Sequence, residues 1–516
     1  MSRLMEHAGY REWDGVNTVG LIATIFDGAV SVWTWLLEHL IFVNLILSII
    51  IVFFRRHDPK TVWTWLLALY FIPVFGILFY LFFDQDFRKS KMFRIKEVED
   101  RLKYSAKNQE EFIKSQDMGL LGSLAGGYAD LVLYNLEVSG AVLTMNNQVE
   151  IFTDGVEKFD DLKEELKKAR RYIHIQYYII KNDELFDSMI PILLEKVREG
   201  VEVRILYDGM GGRFMPKRKW KMLEEAGIGI ASFFPPILGR LNFRVNYRNH
   251  RKIVVIDGRV GYVGGFNIGR EYISKDPKFG YWRDTHLKIY GEAVIGLQLR
   301  FAQDWNYAAG ENLFKDMSYF NETVDLTEPT SIDSMVGIQI VSSGPDTQTR
   351  QIRDNYLELF HKARHHIYIQ TPYFVPDDAV LSAIQIAARS GVDVRLMIPC
   401  KPDHPFVYWA TYSYVGDLLK AGARCYTYEN GFLHAKGVSV DGFVSCYGTA
   451  NMDIRSFELN FEVNAVIYDE ATTERLEEAF LNDLPLCREI TPEDYEARGL
   501  VIRFKEQCSR LLSPLL

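Results

Sequence analysis

Cysteine is scarce in this sequence: Cys400, Cys425, Cys446, Cys487 and Cys508 stand far apart among 516 residues, with no Cys-x-x-Cys spacing. That pattern excludes a disulfide framework and a zinc ribbon, and it points to a reducing compartment for the catalytic part. An excess of positive charge is also missing. Lysine and arginine total 59 against 68 aspartates and glutamates, a formal net charge of −9, so no global attraction to nucleic acid is encoded. Any anionic substrate must be met by local charge. Nor is the chain poor in apolar residues, and a hydrophobic share of 48% over this length supports two cored domains plus an extra segment, not a disordered or fibrous protein.

The apolar residues concentrate first near the N terminus. Residues 31–54, SVWTWLLEHLIFVNLILSIIIVFF, and 61–83, TVWTWLLALYFIPVFGILFYLFF, are each long enough to cross about 30 Å of hydrocarbon. VWTWLL recurs near the start of both, so an antiparallel hairpin places Trp33 and Trp35 at the face opposite Trp63 and Trp65, as an aromatic belt requires. Pro73 and Gly76 predict a kink in the second span. Arg55, Arg56 and Lys60 lie in the connection, whereas Arg88, Lys89, Lys91, Arg94 and Lys96 follow the second span and Arg3 and Arg11 precede the first. The balance favours both ends in the cytoplasm.

Beyond a polar connector the chain repeats itself. ARRYIHIQ at 169–176 returns as ARHHIYIQ at 363–370, and GVEVRIL at 200–206 returns as GVDVRLM at 391–397. A charged amphipathic pattern precedes each ARxxIxIQ and another separates it from GVxVR, so each half reads as helix, strand, helix, strand. Alternating strands and helices predict an α/β sheet flanked by helices, and duplicated halves packed about a pseudo-twofold axis bring equivalent edges together. The expected organisation is an N-terminal tail and two transmembrane helices over 1–86, a connector over 87–146, a first α/β domain over 147–325 and a second over 326–516.

Each half ends in the same polar constellation, H-x-K-x4-D-x6-G-x2-N: His250, Lys252, Asp257, Gly264 and Asn267, then His434, Lys436, Asp441, Gly448 and Asn451. On a strand the period of two points His and Lys to one face, where both can meet one bound group. A phosphodiester resists attack because its charge repels nucleophiles, and two lysines with two asparagines would neutralise and hydrogen-bond its oxygens as charge builds. One neutral imidazole can then attack phosphorus while the other, protonated, donates to the leaving oxygen, which divides a hard displacement into two easier ones. A two-metal mechanism fits poorly, because the lysines would oppose cations and no compact carboxylate cluster accompanies the histidines; no metal or other cofactor is expected. Asp257 and Asp441 belong to the catalytic pattern, but each precedes a glycine at a hairpin turn, so a turn-forming role weighs at least as heavily.

The duplicated motif resembles the phospholipase D superfamily. The order of membrane hairpin, SSGPD at 342–346, QTPYFVPDD at 370–378, KPDHPFVYWATYSY at 401–414 and YENGFLHAKG at 428–437 is similar to bacterial cardiolipin synthases. The resemblance implies two phospholipase D-like domains, a phosphohistidine intermediate, and condensation of two phosphatidylglycerol molecules into cardiolipin and glycerol. It implies His250 as nucleophile and His434 as general acid and base, with role reversal open, and an acid beyond each motif to orient its histidine, for which Asp284 and Glu462 are the candidates. Lys252, Asn267, Lys436 and Asn451 would hold the phosphate. It also implies membrane lipids as partners, no nucleic acid, and a multi-pass protein of the bacterial plasma membrane with cytoplasmic catalytic domains. A lipid hydrolase or a transferase to another alcohol shares the motif, and a nuclease is a more distant reading. Two apolar stretches are candidates for acyl chains: FFPPILG at 233–239, expected to dip into the bilayer, and the aromatic run Phe406, Tyr408, Trp409, Tyr412 and Tyr414, which lines a lipid entrance or packs on the core. His404 is a candidate site-lining residue.

Overall fold

The computed structural model describes residues 31, 34–35, 38–54, 59–83, 127–235, 246–320, 336–347 and 349–513. The chain divides into two compact units, Met1–Gln85 and Asp86–Leu516.

In the first unit helix α1 (Leu40–Ile49) runs on through a wider π-helical turn, Ile50–Phe54, and helices α2 (Pro59–Phe71) and α3 (Pro73–Phe83) follow. The stretch at 61–83 is two helices with a break at Ile72, the kink that Pro73 predicts. Its cause is Pro73, which has no N–H to give the Leu69 carbonyl. Asn44 Nδ2 supplies the missing donor to Leu69 O at 2.7 Å. Ile51, Trp65, Leu69, Ile77 and Tyr80 form the small core, while Ile41, Phe42, Phe53, Trp63 and Phe71 face outward. Trp65 thus packs against Tyr80 inside the unit instead of joining a belt; Trp33 and the flanking arginines lie outside the described residues. Among the described residues no helix is both long and apolar enough to cross a membrane.

In the second unit helix α4 (Ala129–Ser139) precedes the strands. In the first half these are β1 (Asn147–Asp154), β2 (Tyr172–Tyr177), β3 (Glu202–Asp208), β4 (Gly229–Phe233), β5 (Arg248–Asn249), β6 (Ile253–Ile256), β7 (Val260–Gly264) and β8 (Trp282–Gly291). The second half contributes β9 (Gly337–Ser343), β10 (His366–Gln370), β11 (Phe374–Val375), β12 (Asp393–Pro399), β13 (Arg424–Tyr428), β14 (Phe432–Leu433), β15 (Gly437–Val440), β16 (Val444–Gly448), β17 (Met452–Asp453), β18 (Asn460–Tyr468) and β19 (Cys487–Ile490). One sheet has the order β1-β8-β7-β6-β2-β3-β4; the other has β19-β13-β12-β10-β15-β16-β18, with β9 also on β18. In each sheet the repeated segments are parallel, β2 beside β3 and β10 beside β12, and each is joined by a crossover helix capped by an aspartate, Asp183 or Asp377.

The HxK strand and its successor form an antiparallel hairpin in both halves, β6–β7 and β15–β16. Its turn needs positive φ at two successive residues, which Asp257 and Gly258 (55° and 72°) and Asp441 and Gly442 (54° and 70°) supply. The sheets meet face to face through Val149, Ile253, Val255, Val263, Leu287 and Ile289 on one side and Ile338, Ile340, Tyr447, Val463, Ala465 and Ile467 on the other. Two small strands leave their own halves: β5 pairs with β18, and β14 pairs with β8. Helix α4, part of the expected connector, packs with Leu131 and Val132 in the core of the second half. Phe233 and Phe234 are also buried, packed against Phe461 edge-on and tilted with ring centroids 5.2 and 6.0 Å away, so this end of FFPPILG serves the core instead of dipping into a bilayer; residues 236–239 lie outside the described residues.

Candidate active site

The exchange of β5 and β14 determines what each motif histidine meets. Because β5 lies beside β18, His250 N donates to Phe461 O at 3.0 Å and its ring reaches Glu462, two β18 positions beyond Asn460. Because β14 lies beside β8, His434 N donates to Arg283 O at 2.7 Å and its ring reaches Asp284. Each histidine is therefore held by an acid of the opposite half: Nδ1 of His250 is 2.9 and 3.0 Å from the Glu462 oxygens, and Nδ1 of His434 is 2.6 Å from Asp284 Oδ2. An ionised carboxylate at Nδ1 fixes the proton there and leaves Nε2 with its lone pair. Lys252 and Lys436 donate to the carbonyls of their own motif histidines, Lys252 at 2.5 Å.

The electrostatics follow from burial. All four of these motif cations and bases are enclosed. Desolvation lowers His250, opposed by Glu462, and takes His434 to about 4, helped by Lys436. Both imidazoles are neutral at neutral pH. Desolvation also lowers Lys252 to about 7 and Lys436 to about 8, against the pull of Glu462 and Asp284. The acids go the other way: burial would raise Asp284 and Glu462, but Lys436 and His434 hold the first below its ordinary value and His250 and Lys252 hold the second. Lys436 depresses both Lys252 and His250, and Lys252 depresses His434, so the two motifs lie within electrostatic reach of one another.

Asn267 and Asn451 are buried under the same site. Asn267 Oδ1 accepts from Ile179 N at 3.1 Å and its Nδ2 pairs with Tyr272 OH at 3.1 Å, while Asn451 Nδ2 donates to Asp453 Oδ2 at 3.2 Å. The two motif aspartates are elsewhere, at the far end of β6 and β15. Asp257 accepts the backbone N–H groups of Arg170, Arg171 and Tyr172 at 2.8, 2.8 and 2.9 Å, and Asp441 those of Arg364, His365 and His366 at 2.7, 2.7 and 2.8 Å. A strand's length from the histidines, they clamp the start of the repeated IxIQ strands. These contacts are those of the turn-forming role that the Asp-Gly pairs suggest. His404, exposed at the start of the helix at Pro405–Leu419, stands 6.4 Å in ring centroids from Tyr373.

Sequence reasoning missed the groups that wall the histidines. The Trp282 ring lies 5.0 Å from His434 and the Tyr178 ring 5.1 Å from His250. Asn460 Nδ2 and Thr449 Oγ1 donate to Glu462 at 3.1 and 2.6 Å. Trp282 and Asn460 each precede the orienting acid by two residues, so strand periodicity could have placed them on its face.

A family model described as "Cardiolipin synthase, PLD-like domain" matches 162–295 and 356–484, and one described as "Phospholipase_D-nuclease N-terminal" matches 42–83. A cardiolipin synthase of Listeria innocua is 46% identical over 93% of this chain and 99% of its own length, and the major cardiolipin synthase of Bacillus subtilis is 46% identical over 94% and 100%. The chain belongs to the cardiolipin synthase family of the phospholipase D superfamily. Among solved structures, the phosphatidylserine synthase of Haemophilus influenzae shares the fold, with a TM-score of 0.55 at 15% identity over 72% of this chain and 95% of that one. The two stretches matched by the cardiolipin synthase model fall one in each half and together contain the crossed acids Asp284 and Glu462.

Proposed function

We propose that this member of the cardiolipin synthase family condenses two phosphatidylglycerol molecules at the composite site, through a phosphohistidine on His250. The chain is a phosphatidyltransferase of the phospholipase D type and is membrane-associated; a multi-pass hairpin with the catalytic unit in the cytoplasm is the finer reading. The observation that carries the mechanism is the crossed pairing of His250 with Glu462 and His434 with Asp284.

The donor phosphate lies between Lys252 and Lys436, which turn from the histidine carbonyls to its oxygens, with the buried asparagines fixing the loops beneath. Neutral His250 attacks phosphorus through Nε2. Glycerol leaves with a proton from His434, whose imidazolium is stabilised by the buried anion Asp284 and made accessible by the bound phosphate charge. Both acids are held by further donors, Glu462 by Thr449 and Asn460 and Asp284 by Thr285 N at 2.8 Å, and Asp284 makes the shorter contact with its histidine, in an aromatic surround. His434, neutral again, takes a proton from a hydroxyl of the second phosphatidylglycerol, which attacks phosphorus and frees His250.

The test is reconstitution of the full chain in phosphatidylglycerol vesicles without added metal, with products identified by mass spectrometry. Cardiolipin with equimolar glycerol is expected; phosphatidic acid alone would make water the acceptor and the chain a lipase.

A further inference from the structure

Helix α5 (Pro405–Leu419) and helix α6 (Leu500–Leu511) pack along one another in parallel: Lys505 lies over the Trp409 ring at 5.3 Å and Arg510 over the Tyr414 ring at 4.3 Å. Helix α6 is inside out. Its face toward the protein carries Glu506 and Ser509, both buried, with Glu506 neutralised by Arg498 at 2.8 Å. Its outward face carries Leu500, Val501, Phe504 and Leu511, exposed by 83, 68, 70 and 80%. These positions fall on one stripe at helical spacing, and Phe406 on α5 adds a further exposed ring. An ordinary surface helix buries such a stripe and shows its charges to water.

What covers the stripe can be argued from charge and size. Arg503 and Lys505 flank it on either side, and the helix's only acid, Glu506, is turned inward, although the chain as a whole is acidic. Apolar side chains with a cation on either side match the layering of an anionic phospholipid surface. The stripe is a single helix face, narrow beside the about 800 Å² per partner that a stable protein interface buries. The stripe also begins at the right place. The parallel register puts the start of α6 at the same end as the start of α5, which begins two residues after Asp403; that acid takes the Tyr373 hydroxyl and lies within electrostatic reach of Lys436.

We propose that the outward face of α6, with Phe406, is a docking surface through which the catalytic unit lies on an anionic phospholipid bilayer, independently of the N-terminal helices. The proposal rests on the reading of the chain as a lipid phosphatidyltransferase, because it supplies the contact that lets substrate pass from the bilayer to the site.

The test uses the full chain in phosphatidylglycerol vesicles, with Phe504 or Leu511 replaced in turn by the photo-crosslinking amino acid benzoylphenylalanine and Lys221, on an exposed helix face, replaced as the control. Phospholipid adducts at 504 and 511 and none at 221 are expected. Cross-linked dimers, or no adduct at 504 and 511, would overturn the proposal. The adduct is read without turnover, so it stays informative even if the product is not cardiolipin. In parallel, Leu500→Asp/Phe504→Asp/Leu511→Asp should raise the vesicle concentration for half-maximal rate by roughly fivefold or more. The same variant should keep its rate on short-chain phosphatidylglycerol dispersed as monomers, which also reports that it is folded. An unchanged vesicle dependence would overturn the proposal.

Discussion

His250 and His434 are alike in sequence and unlike in surroundings. Desolvation and Lys436 take His434 to about 4, and its carboxylate partner is the shorter contact of the two. A buried acid that orients an imidazole and stabilises its charged form acts chiefly in the transition state, so Asp284→Asn and Glu462→Gln should each lower kcat by about 10² to 10⁴-fold with KM for lipid within about twofold. Steady-state kinetics in mixed micelles check this, and a rise in KM alone would count against the pairing. The lysines give a second prediction. With Lys252 at about 7 and Lys436 at about 8, an arriving phosphodiester anion raises both and draws in protons. Glycerophosphoglycerol binding should therefore be accompanied by proton uptake at pH 8 and should weaken as pH rises through 7 to 8; at pH 6, where both lysines are already charged, the uptake that remains is that of His434. Calorimetry in buffers of different ionisation enthalpy measures the uptake, and proton release at pH 8 would contradict the assignment.

The β-hairpin is the element in which sequence pattern and structure agree most closely. His-x-Lys spacing on a strand and Asp-Gly at the turn were both legible, because a period of two and a left-handed turn leave direct marks in residue type. The crossing was not. Strands β5 and β14 are two residues long, too short for any periodicity, and their partners lie across the duplication, so nothing local says that His250 belongs with Glu462. The aspartates were legible only in part, since their turn could be read but the three amides they accept could not. Asp441→Ala removes an acceptor from three N–H groups, and water reaches some of them, so a loss of about 2 kcal/mol is expected. Denaturation should show that loss while kcat of the folded enzyme stays within about twofold; a collapse of kcat at full stability would return the residue to the chemistry. In the first unit, Pro73 announced a kink, but the reach of Asn44 to the Leu69 carbonyl needed the third dimension.

At the scale of the whole molecule, duplication has produced one site from two incomplete halves. Each half supplies a histidine, a lysine and the acid for the other half's histidine, so neither half holds a working dyad by itself. The face-to-face packing of the two sheets fixes that arrangement, and the buried contact leaves the histidines little freedom to separate. In the proposed mechanism the halves divide the labour, with His250 carrying phosphorus and His434 moving protons. The most direct measurement is acid-quenched trapping with phosphatidylglycerol labelled at phosphorus, using His250→Ala and His434→Ala in the full chain. Label should stay on the His434 variant, in which attack proceeds slowly without the acid and resolution lacks its base, and should be absent from the His250 variant. Label retained by the His250 variant and missing from the His434 variant would reverse the roles, and label on neither would contradict a covalent intermediate.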